Sequence, residues 1–280
     1  MDPDFISKKA VKNIFKASGQ RPVKGLGQNF LVSQRVLRKI IEAAELSSND
    51  TVLEIGPGLG ILTQELAGRV KKVIAVEKDK KMVEILKENL KELKNIEIIE
   101  GDILKIKNLK LKIKNYKVVA NLPYYITSPT IRLFLEQVEA RPLLMVLMVQ
   151  KEVGQRITAK PPKMNLLAVA VQFYAKAEIA DYVSKNCFWP KPKVDSAIIK
   201  ITPKTISTRP GLIDSFFKVV KAGFTQPRKQ ILNNLANGLK LNKEEAKNWL
   251  LENKISPRQR PETLTIENWL ILAKTLDVKK

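Results

Sequence analysis

Short apolar runs alternate with amphipathic stretches along the first two hundred residues of the chain. Runs rich in Val and Ile occupy residues 51–55, 72–77, 96–100, 116–120 and 143–150, and two further runs of this kind lie at 166–174 and 196–201. Short apolar runs are typical of buried strands, and strands that alternate with helices form parallel sheets. The pattern therefore predicts an α/β fold with a mostly parallel sheet of seven strands.

The spacing of apolar residues between these runs favours helices, and the pattern changes near residue 203. Helical patterns without a convincing strand occupy residues 212–223, 228–239, 243–254 and 266–276. Proline and glycine residues interrupt them, as they do between helices. We therefore predict two domains: residues 1–203, which hold the sheet and a basic N-terminal segment, and residues 204–280, a small helical domain.

The charge balance favours a polyanionic partner. The 280 residues include 50 Lys and Arg against 28 Asp and Glu, a net charge of +22. Residues 1–40 hold nine basic and two acidic residues, residues 105–117 hold six lysines and no acid, and residues 203–280 carry a net +8. A lysine-rich solvated surface is the alternative, but so large an excess favours nucleic acid. Residues 5–15 form only a weak candidate for a membrane-surface helix.

The scarcity of two residue types excludes several kinds of chemistry. The chain has no histidine and one cysteine, Cys187, which leaves no internal disulfide and no histidine-based zinc site or general base. Zinc deaminases and histidine-dependent hydrolases are therefore excluded. Because the chain has no apolar stretch of roughly 20 residues and its N-terminus lacks the apolar block of a secretory signal, we expect a cytoplasmic protein without a membrane partner.

A glycine loop follows the first of the Val-rich strands. The sequence "TVLEIGPGLG" places Gly56, Gly58 and Gly60 after Glu54. Glycines allow a sharp turn and let a ligand lie against main-chain N–H groups. A dinucleotide fingerprint would need glycine at Ile61, which argues against a dinucleotide-dependent oxidoreductase. The loop resembles instead the S-adenosylmethionine loop of class I methyltransferases.

Two acidic residues end the next two strands. Glu77 can accept hydrogen bonds from both hydroxyls of a ribose, and Asp102 can accept one from an adenine amino group. Each residue alone is typical of a solvated turn. Open parallel sheets bind ligands at the carboxyl ends of their strands, however, so the three consecutive strand ends predict a cofactor site.

The fourth strand ends at Asn121 in "VVANLPYYITSP". Its amide oxygen can accept a hydrogen bond from an exocyclic amine, and Tyr124 can stack on the base that carries the amine. Transfer to an adenine amino group requires chiefly that this nitrogen be aligned with a methyl donor, so neither metal nor histidine is needed. The alternative is that Asn121 merely ends a strand.

These residues and several others resemble the rRNA adenine N6,N6-dimethyltransferase family, and most closely its bacterial small-subunit members. The matching segments are "GQNFL" at 27–31, "EIGPGLGILT" at 54–63, "NLPYYITSP" at 121–129, "QKEV" at 150–153, "FWPKPKVDSA" at 188–197 and "GFTQPRKQILNNL" at 223–235. The resemblance implies a class I, Rossmann-like, seven-stranded methyltransferase domain followed by a small helical domain. In the last segment Pro227 stands where the family usually has an arginine.

The resemblance also assigns residues to roles. The implied cofactor-binding residues are Asn29, Leu31, Gly56, Glu77, Asp102 and Asn121. Asn121 is also the implied catalytic residue, with Tyr124 and Phe188 on the two faces of the target base, and no metal is implied. From the residue pattern alone, Phe188 would be a core aromatic.

The implied reaction is the addition of two methyl groups to each of two adjacent adenines, in a hairpin loop near the 3′ end of 16S rRNA. S-adenosylmethionine would supply the methyl groups, and the partner would be the immature 30S subunit, bound by a monomer during ribosome biogenesis. One alternative is a 23S rRNA methyltransferase of the macrolide-resistance type, against which Leu122 argues because those enzymes tend to have isoleucine there. A second is a non-catalytic nucleic-acid-binding relative, which would not need Asn121 or the glycine loop.

Overall fold

The computed structural model of the chain describes residues 6–105, 113–205 and 211–276, so most of the lysine-rich stretch at 105–117 lies outside the described residues. The chain forms two compact units, one of Met1–Gly154 with Lys176–Pro203 and one of Gln155–Ala175 with Lys204–Lys280. The chain passes from the first unit to the second after Pro203, and the second unit also takes in Gln155–Ala175, which the sequence analysis placed in the first domain. The division of function between the two parts remains a prediction.

A seven-stranded sheet forms the centre of the first unit, in the order β4-β3-β2-β5-β6-β9-β7. The strands of the described residues are β1 (Phe30–Leu31), β2 (Thr51–Ile55), β3 (Lys72–Glu77), β4 (Ile96–Glu100), β5 (Tyr116–Asn121), β6 (Leu144–Gln150), β7 (Ala175–Val183), β8 (Phe188–Trp189) and β9 (Ser196–Pro203). Strands β2 to β6 pair in parallel, and β9 pairs antiparallel with β6. The predicted α/β class and the seven-stranded sheet are confirmed.

One predicted strand is wrong. Residues 166–174 form a helix, and the strand that follows it, β7, completes the sheet. The run "LLAVAVQFY" is apolar except for Gln172, so its periodicity does not distinguish a buried strand from a buried helix. Its local signals favour the helix, because Leu and Ala are good helix formers and Asn165 caps the first turn by accepting a hydrogen bond from the Ala168 N–H at 3.0 Å.

Helices cover the central strands β2, β5 and β6, which are apolar on both faces. The α-helices from the described N-terminus to residue 174 are α1 (Lys8–Ala17), α2 (Gln34–Ala44), α3 (Ile61–Ala67), α4 (Lys80–Asn89), α5 (Thr127–Arg132), α6 (Lys151–Ile157) and α7 (Leu166–Tyr174), of which α7 belongs to the second unit. In β5, Val118, Val119 and Ala120 are all fully buried. Such a strand is typical of a parallel sheet, whose carboxyl ends then gather polar residues at one edge.

Helices make up the described part of the second unit. After residue 203 they are α8 (Leu212–Gly223), α9 (Ile231–Leu239), α10 (Lys243–Glu252) and α11 (Ile266–Leu276), and residues 211–276 contain no strand, as predicted. The core includes Trp249, Trp269 and Phe216, and Phe173 of α7 stacks on Phe216 with ring centroids 4.2 Å apart. Nowhere in the described chain is a helix both long and apolar enough to cross a membrane.

Candidate active site

A cavity in the first unit lies where β2, β3 and β5 end. Its lining includes every residue that the sequence predicts for the site: Asn29, Leu31, Gly56, Glu77, Asp102, Asn121, Tyr124 and Phe188. Three strand ends supply part of this set, and the paired strands β1 and β8 supply Leu31 and Phe188. The structure therefore brings the predicted residues together, while their individual roles remain predictions.

The glycine loop adopts a backbone that other residues would strain. Gly58 and Gly60 have φ angles of 57° and 87°, in the left-handed region. A Cβ atom on Gly60 would lie 2.9 Å from Leu86 Cδ1, and one on Gly58 would lie 3.0 Å from the Phe30 ring. Glycine at these two positions therefore lets the loop hold its main chain against the cavity without backbone strain.

The carboxylate of Glu77 is fixed at the end of β3 by backbone donors. Its Oε2 accepts a hydrogen bond from the Gly58 N–H at 3.2 Å, and its Oε1 accepts one from the Asp79 N–H at 2.9 Å. Burial raises the pKa of Glu77, and these hydrogen bonds oppose the rise. Each carboxylate oxygen has a further lone pair, so the group can still accept two hydrogen bonds from a ligand.

Asp102 is paired with a cation that the sequence analysis did not select. Lys78 Nζ lies 2.9 Å from Asp102 Oδ2, and the Leu104 N–H donates to Asp102 Oδ1 at 3.0 Å. Partial burial acts to raise the pKa of Asp102, but the bonds from Lys78 and Leu104 outweigh it and hold the pKa below its ordinary value. Asp102 is thus an ionised acceptor at the cavity wall.

The side chain of Asn121 is oriented by a backbone carbonyl from a distant part of the chain. Asn121 Nδ2 donates to the carbonyl oxygen of Asn29 at 3.1 Å, and Asn29 Nδ2 donates to the carbonyl oxygen of Gly27 at 3.0 Å. Because the Asn121 amide uses an N–H on this carbonyl, its Oδ1 is the end left to accept from a ligand.

Tyr124 and Phe188 are held in different ways. Tyr124 lies in a short 3₁₀ turn, Tyr124–Ile126, and its hydroxyl is 2.8 Å from Oγ of the fully buried Ser196. Phe188 is only 4% exposed, and it pairs with Leu31 across the β1–β8 ladder. Phe188 therefore serves the hydrophobic core as well as the cavity wall.

Sequence reasoning also missed two side-chain contacts among residues in or beside the cavity lining, one made by Gln28 and one made by Ser196. Gln28 Nε2 donates to Asp79 Oδ2 at 2.8 Å, and Asp79 also caps α4. Ser196 holds the Tyr124 hydroxyl. Gln28 and Ser196 lie inside the segments "GQNFL" and "FWPKPKVDSA", so the family resemblance contained a signal for both residues but no indication of their partners.

Glu54 is the most unusual group in the cavity lining. It is 1% exposed, and its Oε2 has no hydrogen-bond partner within the described residues. Burial raises its pKa to about 8, and the nearby charge of Glu77 adds to the rise. Interaction with the Thr63 side chain opposes this rise in pKa. A buried carboxyl oxygen without a partner is costly, so Oε2 fits a ligand that brings a hydrogen-bond donor or a positive charge.

The high pKa of Glu54 predicts how the stability of the ligand-free protein depends on pH. Between the ordinary pKa of 4.5 and about 8, the folded chain holds a proton that the unfolded chain releases, so stability falls as the pH rises through this window. Glu54→Gln removes the ionisation. The unfolding free energy of the variant minus that of the native chain, measured in urea titrations, should therefore increase by about 3 kcal/mol from pH 6 to pH 9.

Glu84→Gln provides the control, because Glu84 is exposed on α4. It should shift the unfolding free energy equally at both pH values. A Glu54→Gln variant that behaves in the same way would mean that Glu54 is ionised in the folded protein throughout this range.

Comparisons with known proteins point to a single family. The protein family described as "Ribosomal RNA adenine dimethylase" matches residues 20–277. A curated relative from Dehalococcoides mccartyi (strain ATCC BAA-2266 / KCTC 15142 / 195), named "Ribosomal RNA small subunit methyltransferase A", is 46% identical over 264 residues, which cover 93% of this chain and 90% of the relative.

Two solved structures have a similar backbone. The crystal structure of the 23S rRNA methyltransferase ErmE has a TM-score of 0.74 and 28% identity, and the match covers 89% of this chain and 100% of that one. A dimethyladenosine transferase from Plasmodium falciparum has a TM-score of 0.73 and 28% identity, with 89% of this chain and 98% of that one covered.

Proposed function

The chain belongs to the ribosomal RNA adenine dimethylase family, and we propose that it dimethylates the N6 amino groups of two adjacent adenines in a hairpin loop near the 3′ end of 16S rRNA. We further propose that its partner is the immature small ribosomal subunit and that it acts as a cytoplasmic monomer. The net charge of +22 supports a partner made largely of RNA.

The observation that carries this proposal is the orientation of Asn121. Its amide is fixed by the Asn29 carbonyl at the end of β5, in the cavity that also holds Glu77 and Asp102. A rigid acceptor at this strand end can hold an exocyclic amine beside a cofactor bound at the two neighbouring strand ends.

The choice of 16S over 23S rRNA is supported by the sequence comparison. The backbone matches to the 23S rRNA methyltransferase and to the dimethyladenosine transferase are almost equal, with TM-scores of 0.74 and 0.73. The relative named for the small subunit is much more similar, at 46% identity over 93% of this chain. Leu122, buried beside Asn121, favours the same substrate.

The residues of the cavity fit S-adenosylmethionine, which when bound supplies a methyl group on a positively charged sulfur. Glu77 presents a fixed carboxylate that can accept from ribose hydroxyls, and Asp102 is an ionised acceptor suited to an adenine amino group. The unpartnered Oε2 of Glu54 also fits a cationic ligand. The glycine loop leaves main-chain groups uncovered by side chains.

The chain's own residues then position the target amine. Asn121 Oδ1 accepts one N6–H of adenine, and a neighbouring backbone carbonyl can accept the other, which directs the nitrogen lone pair away from the ring. Tyr124, held by Ser196, offers its ring for stacking. A base must leave its stack to enter this cavity, which costs a few kcal/mol and less in a loop than in a duplex.

Isotope-labelled S-adenosylmethionine tests the proposal. The protein is incubated with small subunits that lack these methyl groups and, separately, with 23S rRNA, and the nucleosides are analysed by mass spectrometry. We expect N6,N6-dimethyladenosine at two adjacent positions near the 3′ end of 16S rRNA. Label in 23S rRNA alone would overturn the substrate, and no transfer to either RNA would favour the non-catalytic binding protein.

A further inference from the structure

One face of α1 is unusually basic. Lys8, Lys9, Lys12 and Lys16, which we call the α1 lysine face, are all exposed, and none forms an ion pair within the described residues. Residues 6–41 contain nine Lys and Arg and no acidic residue. Because none of the four lysines is ion-paired within the described residues, their charges stay available to an external anion.

The placement of these lysines, apart from Lys16 in the last turn, works against the helix itself. α1 has no acidic residue in its first turn, and Lys8 and Lys9 stand at its positive dipole end. Lys12 lies four residues from both Lys8 and Lys16, so like charges are neighbours along the helix. Residues that destabilise their own helix are expected where function requires them. A bound polyanion would offset both the unfavourable interaction with the helix dipole and the repulsion between lysines.

The opposite face of α1 fixes the helix beside the cavity. Val11 and Phe15 are buried, and the Phe15 ring centroid lies 5.1 Å from that of Phe30 and 5.7 Å from that of Trp189. Phe30 and Trp189 are paired residues of β1 and β8, whose other pair, Leu31 and Phe188, lines the cavity. Because the apolar face is occupied by the core, the helix cannot insert it into a membrane.

We propose that the α1 lysine face binds the phosphates of the RNA strand that flanks the target adenines. This inference rests on the proposed function, since it assigns part of the contact with the same substrate. Lysines bind phosphates as point charges without reading sequence. The face would therefore supply affinity and set the position of the hairpin, while the cavity selects the base.

A four-lysine variant, K8Q/K9Q/K12Q/K16Q, tests the inference through RNA binding. The probe is a transcript of the 3′-terminal 16S hairpin, followed by fluorescence anisotropy over a range of salt concentrations. Losing four phosphate contacts should raise Kd about 10- to 100-fold near 0.1 M salt and reduce the slope of log K against log salt by about 3. The melting temperature should not fall, because the substitutions remove like-charge neighbours and leave the buried face intact.

A matched control removes the same number of positive charges near the amino ends of the strands, whereas the cavity lies at their carboxyl ends. Lys71, Lys94 and Lys114 precede β3, β4 and β5, and Lys87 lies in the last turn of α4; all four are exposed. The variant K71Q/K87Q/K94Q/K114Q should change the slope by less than half as much.

The outcomes separate this inference from the proposed function. Equal Kd values and slopes for the two variants overturn the inference, even if the native protein methylates 16S rRNA. A native protein that binds the hairpin through α1 but transfers no methyl group leaves the inference standing and overturns the proposed function. Unchanged RNA binding with a loss of binding to anionic phospholipid vesicles would assign the face to a membrane surface instead.

Discussion

Asn121→Ala is expected to bind S-adenosylmethionine with an affinity within several-fold of the native protein and to lower kcat on the order of 100- to 1,000-fold, as losses of a single preorganised polar contact do. Alanine removes the acceptor Oδ1 that would hold the target amine, and it also removes the hydrogen bond to the Asn29 carbonyl. Calorimetry measures cofactor binding, and single-turnover methylation of small subunits measures the transfer step.

Two further variants define what Asn121 contributes. Asn49→Ala serves as the control, because Asn49 is exposed outside the cavity and its loss should leave kcat unchanged. Asn121→Asp keeps an acceptor but replaces the N–H with an oxygen that faces the Asn29 carbonyl, so it should recover only part of the lost rate. A native kcat for Asn121→Ala would show that another group holds the amine.

Much of the site could be predicted because it depends on strand ends. Glu77, Asp102 and Asn121 follow apolar runs that the sequence identifies as strands, and parallel strands bring their carboxyl ends to one edge. The glycine loop carries a backbone signal that is independent of packing. Local pattern and general sheet geometry were sufficient for these residues.

The partners of these residues could not be predicted in the same way. Lys78 beside Asp102, Ser196 beside Tyr124 and the Asn29 carbonyl beside Asn121 are contacts across the fold, and in the last two cases the partners are 72 and 92 residues apart. No local periodicity specifies such pairs. They nevertheless decide which atoms face the cavity.

The local sequence pattern also could not predict the effects of burial. The helix at 166–174 was predicted as a strand because a segment with one polar residue, Gln172, has no polar face to indicate its period. Glu54 could be identified as an acid before a glycine loop, but its loss of solvent and the unpartnered Oε2 depend on what covers β2. The unusual pKa of Glu54 is therefore a property of the fold as a whole.

Phe188→Ala is expected, like Asn121→Ala, to have a large effect, because it should reduce both stability and activity. Phe188 is 4% exposed and lies in the hydrophobic core, so its truncation should lower the free energy of unfolding by about 3–5 kcal/mol. The loss of a stacking ring should also lower kcat/KM by about 5- to 160-fold, equivalent to about 1–3 kcal/mol per base. Urea titration and steady-state methylation measure the two losses separately.

Leucine at this position separates packing from stacking. Phe188→Leu keeps most of the apolar volume and should cost less than about 1.5 kcal/mol of stability, but it has no flat ring and should still lose at least about 5-fold in kcat/KM. Phe134→Leu is the matched control, because Phe134 is fully buried in the same unit and does not line the cavity. If both leucine variants keep native kcat/KM, Phe188 is a core residue only, and Tyr124 must hold the target base without a second ring.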